Sequence, residues 1–333
     1  MRNLKVVLAR RPAGVPVSSD FRLEEDDVGS PGLGEVLVQN QFASVDPGMR
    51  GWINEARNYR EPVPLGAVMP AHAVGKVLES GDERYKPGDV VFGLFGWQTY
   101  GVVRSQDVIR VISDHELPYS TALGVLGING ITAYLALTGI GRPQSAETVL
   151  VSSAAGSVGS IVGQIARIRG CRTIGITGGA QKVSMCLDSF GYDAAIDYKA
   201  AGDLHDRIAQ SAPGGVDIYF DNTSGAIQDA AMSNLNIGAR VVVCGTAAIS
   251  EWDPVPLGPR VERVLLTRRA TMTGFLVTDH EPQFEDAIAQ LSAWVRSGQI
   301  QYREHLLDGL ARAPDALPML FAGANTGKLL IRI

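Results

Sequence analysis

Two patterns of apolar and polar positions divide this chain of 333 residues. Up to about residue 120 the pattern is short and strand-like. Alternating runs such as Glu35–Asn40, Ala73–Leu78 and Asp89–Gly93 are broken by turn signals, among them Ser30-Pro31-Gly32 and Lys86-Pro87-Gly88-Asp89. Period-two runs bounded by Gly and Pro predict a compact all-β unit. From about Ser120 strands alternate with helical stretches. Strands are predicted at 148–151, 172–177, 195–198, 216–221 and 239–244, and a helix over 281–297. Parallel strands need such crossovers, so this half reads as a doubly wound α/β sheet. The last residues, 327–333, read as a strand returning to the β unit. The predicted division is 1–121 completed by 300–333, and 122–299.

The stretch TVLVSSAAGSVGSIVGQIARIRG, residues 148–170, carries the most information. A β-branched apolar run leads into Ala154-Ala155-Gly156-Ser157-Val158-Gly159. A helical stripe of Val162, Ile165, Ala166 and Ile168 follows and stops at Gly170. Strand, glycine turn and helix in that order are the context a dinucleotide site requires. Gly156 lets the backbone approach a pyrophosphate, Gly159 lets the helix lie close to the strand, and the helix N-terminus offers its unpaired N–H groups. The first glycine of the G-x-G-x-x-G pattern is Ala154 here. The string alone also suits a tight turn in an ordinary α/β protein, and it is the flanking pattern that favours the nucleotide.

A site for unphosphorylated NAD would place Asp or Glu at the end of the next strand, about 20 residues on, to hold the ribose 2′-OH. This chain has Thr177-Gly178-Gly179-Ala180-Gln181-Lys182 there, with no carboxylate until Asp188. Small residues leave room for a 2′-phosphate, and the repulsion a carboxylate would exert is absent. Lys182 alone could be a solvated lysine early in a helix. The missing acid and the present base together favour NADP(H).

Composition narrows the class without choosing a chemistry. The chain is 45% hydrophobic and 20% charged, with a formal charge of −5 and no basic cluster, which gives no support to nucleic-acid or anionic-membrane binding. No uncharged apolar run approaches the roughly 20 residues of a bilayer span. The N-terminal MRNLKVVLARRPAG reads as a strand followed by charge, so a cytoplasmic protein is expected. Cys171, Cys186 and Cys244 are scattered, and the five histidines have no paired spacing. No metal site is expected from them.

Over its whole length the chain resembles the medium-chain dehydrogenase/reductase superfamily. Within it the resemblance is to the zinc-free, NADPH-dependent alkenal/one double-bond reductases, the group that includes leukotriene B4 12-hydroxydehydrogenase/prostaglandin reductase and curcumin reductase. The residues that carry it are Ser44-Val45-Asp46-Pro47-Gly48-Met49-Arg50-Gly51, Gly127-Ile128-Asn129-Gly130-Ile131-Thr132-Ala133-Tyr134, the AAGSVG turn, residues 194–199 and 217–222, Cys244-Gly245, Gly274–Val277 and Asn325–Lys328. The resemblance implies a GroES-like β-rich domain beside a Rossmann domain. It implies that Gly156, Ser157, Val158 and Gly159 cradle the pyrophosphate, that Lys182 and Tyr198 hold the 2′-phosphate, and that Asn222 faces the cofactor ribose. Cys244, Gly245 and Ser250, Phe275, Leu276 and Val277, and Asn325 resemble segments around the nicotinamide half, with Thr132 at the nicotinamide end. Taken alone, Cys244 and Phe275 read more simply as packing residues. A homodimer is the family habit.

Reduction of a conjugated C=C needs a hydride aimed at the β-carbon, stabilisation of the enolate oxygen and a proton for the α-carbon. A phenol stays protonated at neutral pH and suits the second task. The family places a tyrosine in the loop after the V-D-P-x-M-R motif, and Tyr59 is the candidate, although a tyrosine in RNYREP also suits an ordinary surface loop. The family's second tyrosine, in a string like S-Q-Y-N, is replaced in Ile249-Ser250-Glu251-Trp252-Asp253 by Trp252. An indole donates a hydrogen bond but is no proton-transfer acid, so Trp252 reads as an aromatic wall of the substrate pocket. The expected activity is reduction of α,β-unsaturated aldehydes or ketones by NADPH. A quinone reductase is the nearest alternative, and a non-catalytic NADPH-binding protein is the alternative of another class. A zinc alcohol dehydrogenase fits least, because Ala43-Ser44-Val45-Asp46 holds no thiol where the catalytic Cys would follow the third strand.

Overall fold

The structure is a computed structural model that describes residues 1–55, 59–249, 254 and 256–333. The chain forms two units, Met1–Gly124 with Glu304–Ile333, and Val125–Arg303. In chain order the strands of the first stretch are β1 (Arg2–Leu8), β2 (Phe21–Asp27), β3 (Glu35–Ser44), β4 (His72–Ser80), β5 (Val90–Leu94), β6 (Tyr100–Arg104) and β7 (Val108–Val111). The middle of the chain supplies β8 (Thr148–Ser152), β9 (Arg172–Thr177), β10 (Ala194–Asp197), β11 (Val216–Asp221), β12 (Leu235–Val243) and β13 (Thr271–Gly274). β14 (Glu304–Asp308) and β15 (Lys328–Arg332) end it.

The first unit is β-rich, as its alternating pattern requires. Its larger sheet runs β14-β15-β3-β4-β5-β7, with β6 also paired to β3, and β1 pairs with β2. Val6, Leu8, Val36, Val38, Met69 and Trp97 are wholly buried in one core. The terminal strand does return to this unit. Leu330 pairs with Ser44 and Ile331 with Ala43 in antiparallel register.

An ion pair is buried where that strand closes. Lys328 is 4% exposed, and its Nζ lies 2.5 Å from Asp46 Oδ1 and donates to the carbonyl of Val45 at 3.1 Å. Ser44 Oγ donates to the other carboxylate oxygen. Removing two charges from water is costly, and such a pair persists only where further hydrogen bonds satisfy both groups, as here. Burial pushes the Asp46 carboxyl up, and the Lys328 charge with its hydrogen bonds more than offsets this, leaving it below its ordinary value. His72, stacked on Phe92 with ring centres 5.5 Å apart, is held neutral. Burial lowers its pKa to about 4, with Asp46 opposing and Lys328 and Arg60 assisting.

The second unit is a six-stranded parallel sheet in the order β10-β9-β8-β11-β12-β13. The order reverses between β8 and β11, the topological switch point at which ligands of such sheets bind. Every residue of β8 is buried, which explains its continuous apolar run. The helices flanking this sheet that matter below are α1 (Ile128–Ala136), α2 (Gly159–Ile168), α3 (Ala180–Ser184), α4 (Leu204–Ser211), α5 (Gly225–Met232) and α6 (Phe284–Arg296). Helix α6 is shorter than its apolar pattern predicts. A 3₁₀ segment, Val277–Gln283, precedes it, with non-helical backbone at His280 and with Pro282 near its end.

The His72 environment makes the stability of the first unit depend on pH. An unfolded chain takes up a proton at His72 near pH 6.5, whereas the folded chain does so only near 4. Stability is therefore full above 6.5 and falls as the pH drops through that window, by about 3 kcal/mol from this group. Thermal melts between pH 7 and 4 should show a shallower decline for His72→Leu than for the unaltered chain. Parallel declines would refute a half-buried imidazole held neutral.

Candidate cofactor site

The turn after β8 is shaped by the absence of side chains. Ser153 has a positive φ of 52°, and the Gly156 N–H donates back to its carbonyl at 2.8 Å. A Cβ on Gly159 would strike the Ser153 carbonyl oxygen and lie 2.9 Å from the Ala154 Cα. One on Gly156 would lie 2.7 Å from Ser153 Oγ. Helix α2 can therefore begin directly against the strand it follows. Tyr192 donates its hydroxyl to the Gly159 carbonyl at 2.6 Å and fixes the helix start from the far side.

Among the described residues the amides of Ser157 and Val158 have no acceptor, and Ser157 Oγ is a buried polar atom without a partner. Buried donors are seldom left unsatisfied, and a helix N-terminus favours negative charge. These groups fit a pyrophosphate.

The end of β9 is basic. Gly178-Gly179 passes under Tyr198 and Lys199, and a Cβ on Gly178 would lie 2.9 Å from the Tyr198 ring and 3.1 Å from the Lys199 side chain. The acid beside Tyr198, Asp197, is occupied by the backbone: Oδ1 accepts the N–H of Gly179 at 2.8 Å and of Lys199 at 2.9 Å. Those bonds, Gly179 first, hold its carboxyl below the ordinary value. Burial lowers the pKa of Lys182, and the like charge of Lys199 lowers it further. A 2′-phosphate between the two ammonium groups would relieve both penalties. Lys199 was not singled out from the sequence. The available signal was its position directly after Tyr198.

At the switch point, Asn222 is locked to β8. Its backbone N–H donates to Ser152 Oγ at 2.8 Å and its side-chain amide to the Ser152 carbonyl at 2.7 Å. Cys244 and Gly245 both donate N–H groups to the Asp221 carbonyl, at 2.8 and 3.1 Å. A Cβ on Gly245 would lie 2.9 Å from the Asn222 carbonyl oxygen, which accounts for glycine there. Burial and the nearby Asp221 push the Cys244 thiol up to about 12, so it is an inert packing group. Thr132 lies buried in α1. Phe275 and Val277 pack with Ile131, Leu135 and Ala287 in a small core, and Phe275 stacks on His280 with ring centres 4.7 Å apart. Leu276, between them, is half-buried.

Two predicted site residues belong to the first unit. Asn325 is buried and donates to the Gly327 carbonyl at 2.8 Å, a local turn bond. Tyr59 accepts a hydrogen bond from Trp52 Nε1 at 3.1 Å, and the residue remains 56% exposed. Burial around the hydroxyl and the Asp46 charge raise its pKa, with the Trp52 bond opposing. Ser250 and Trp252 lie outside the described residues. Among the described residues the one group of three clustered metal-ligand types is Asp203, His205 and Asp206, all exposed, where Asp203 caps α4 by accepting the N–H groups of His205 and Asp206. No helix among them is long and apolar enough to cross a membrane.

A parallel sheet with a glycine-bounded anion cradle at its switch point defines a dinucleotide-binding protein of the Rossmann class. Residues 5–111 match the family described as the N-terminal domain of oxidoreductase, and residues 157–293 match that described as zinc-binding dehydrogenase. The chain is similar to the NADPH-dependent curcumin reductase of Escherichia coli (strain K12), 39% identical with 100% of this chain and 97% of the relative covered. It is similar to the 2-alkenal reductase (NADP(+)-dependent) of Nicotiana tabacum, 34% identical with 99% and 97% covered. The crystal structure of CurA in complex with NADPH from Vibrio vulnificus matches with a TM-score of 0.93 at 38% identity, over 100% of this chain and 99% of that one. The chain belongs to the medium-chain dehydrogenase/reductase superfamily, in the group of NADP-dependent double-bond reductases to which these relatives belong.

The basic corner generates a selectivity prediction. Lys182→Ala and Lys199→Ala should each weaken NADPH binding roughly tenfold, the scale of one lost charge-assisted hydrogen bond, and leave NADH binding unchanged. Fluorescence titration of both nucleotides checks this. Equal weakening of the two would remove the lysines from 2′-phosphate recognition.

Proposed function

We propose that the chain is an NADPH-dependent reductase of the conjugated C=C of α,β-unsaturated aldehydes and ketones. The observation that carries the proposal is the pairing of an empty-handed anion cradle at Ser157–Gly159 with the Lys182–Tyr198–Lys199 corner, a seat for a phosphorylated dinucleotide. NADP(H) is its cofactor and, when bound, supplies the hydride. The protein's own residues orient and polarise: the cradle fixes the pyrophosphate, the corner selects the 2′-phosphate, and Asn222 and the 244–248 loop shape the seat beyond the switch point.

Tyr59 is the group for the enolate oxygen. Its raised pKa keeps the phenol neutral at pH 7, and an oxygen that accepts from an indole donates more strongly through its own O–H. Trp252 serves as an aromatic wall of the substrate pocket. Thr132, Phe275–Val277 and Asn325 belong to the nicotinamide half of the same reading. The reading carries a cytoplasmic location, supported by three cysteines without disulfides. It also carries a homodimer, supported by β13, a sheet-edge strand whose residues are mostly exposed. Sedimentation should give twice the 35.5 kDa chain mass.

The activity is tested by following NADPH absorbance with 4-hydroxynonenal, a simple enone and a quinone. The proposal expects the enal and enone to be turned over faster than the quinone. Turnover of the quinone alone would make it a quinone reductase, and tight NADPH binding with no acceptor reduced would make it a binding protein. Tyr59→Phe should lower kcat roughly 10²-fold with NADPH affinity unchanged, the scale of one lost oxyanion donor. Undiminished turnover would exclude Tyr59 from the chemistry.

A further inference from the structure

The buried carboxylate of Asp221 plays no part in the proposed chemistry, yet its hydrogen bonding is unusually lopsided. Oδ1 accepts from Ser152 Oγ at 3.1 Å, Tyr219 OH at 2.9 Å, and the backbone N–H groups of Thr223 and Ser224, each at 2.9 Å. Oδ2 is buried with no partner among the described residues. A wholly buried carboxylate is costly unless well bonded, so concentrating the donors on one oxygen requires an explanation in what those donors hold.

The donors hold a strained turn at the switch point. Ser224 has a positive φ of 58°, rare for a residue with a side chain, and its N–H is one of those fixed by Oδ1. Ser152 links this turn to the glycine-turn strand: its Oγ donates to Asp221, accepts the Asn222 N–H, and its carbonyl accepts the Asn222 side-chain amide. The 244–248 loop hangs from the same turn, Ala247 N–H donating to the Asn222 carbonyl and Ala248 N–H to that of Thr223. Ser152 is distant from Asn222 in sequence and reaches it only through the pairing of β8 with β11.

We propose that Asp221, acting through the Ser152 hydroxyl, is a positioning residue that fixes the backbone N–H of Asn222 and with it the point from which the Asn222 side chain reaches the cofactor. This rests on the reading of Asn222 as a cofactor-facing residue under Proposed function. The orientation of the Ser152 hydroxyl is the transmitted quantity. With its hydrogen committed to Asp221, its oxygen must accept from Asn222.

The test is a double-mutant cycle on NADPH affinity, read by fluorescence titration in the full-length protein, with melting temperature measured for each variant. Asn222→Ala should weaken binding about tenfold and Ser152→Ala several-fold, while the double variant should be no weaker than Asn222→Ala alone, because both remove one shared contribution. Asp221→Ala, which removes the acceptor of the Ser152 hydroxyl, should match Ser152→Ala in the loss and in its dependence on Asn222, which keeps the test decisive should Ser152→Ala fail to fold, whereas Asp221→Asn, which keeps an oxygen at the Oδ1 place, should bind NADPH nearly as the unaltered chain does. Additive losses, or a normal affinity for Ser152→Ala and Asp221→Ala, would overturn the relay. An unaltered chain that does not bind NADPH would instead defeat the cofactor reading itself, a result read from the first titration.

Discussion

Helix α2 starts in contact with the backbone of the strand it follows, and the cofactor seat depends on that closeness. It is possible only because residue 159 has no Cβ: any side chain would collide with the Ser153 carbonyl and force the helix away. The same economy recurs around it. A Cβ on Gly175 would lie 2.7 Å from the Ala154 methyl, and one on Gly163 would run into the Tyr192 ring that pins the helix start. Among the described residues, close packing of strand against helix leaves two amides and a hydroxyl of the turn without partners, groups that fit an anion.

Charge placement then decides which anion. Asp197 precedes Tyr198 and Lys199, and the backbone N–H groups of Gly179 and Lys199 commit its carboxylate to the turn. The like charge of Lys199 adds to burial in depressing Lys182, an arrangement that a dianionic phosphate would relieve. The first unit solves its own charge problem differently, by enclosing Lys328 and Asp46 together where β15 returns to β3.

Much of this was legible in the sequence because it is local. The β8 run, the glycine turn and the helix stripe are contiguous, and strands 172–177 and 216–221 match β9 and β11 residue for residue. What depended on distant contacts was not. Lys199 gains meaning only where Gly178 brings β9 beneath β10, and the Asp221–Ser152–Asn222 relay joins residues on two strands. Strand β12 begins at Leu235, earlier than its apolar run suggests, because Leu235 pairs with Val216 ahead of an irregularity that takes up Asn236 and Gly238, poor strand formers, before pairing resumes at Arg240. Strand β14, Glu304–Asp308, had no distinguishing pattern and forms by parallel pairing with β15. Packing, by contrast, explains as much of Phe275 as cofactor binding does, in keeping with its bland sequence reading.

A crystal structure of the protein with NADP⁺ tests the central claim most directly. The account predicts pyrophosphate oxygens within hydrogen-bond distance of the amides of Ser157–Gly159 and a 2′-phosphate between Lys182 and Lys199. A nucleotide bound away from that turn, or a turn left vacant at saturating NADP⁺, would contradict it.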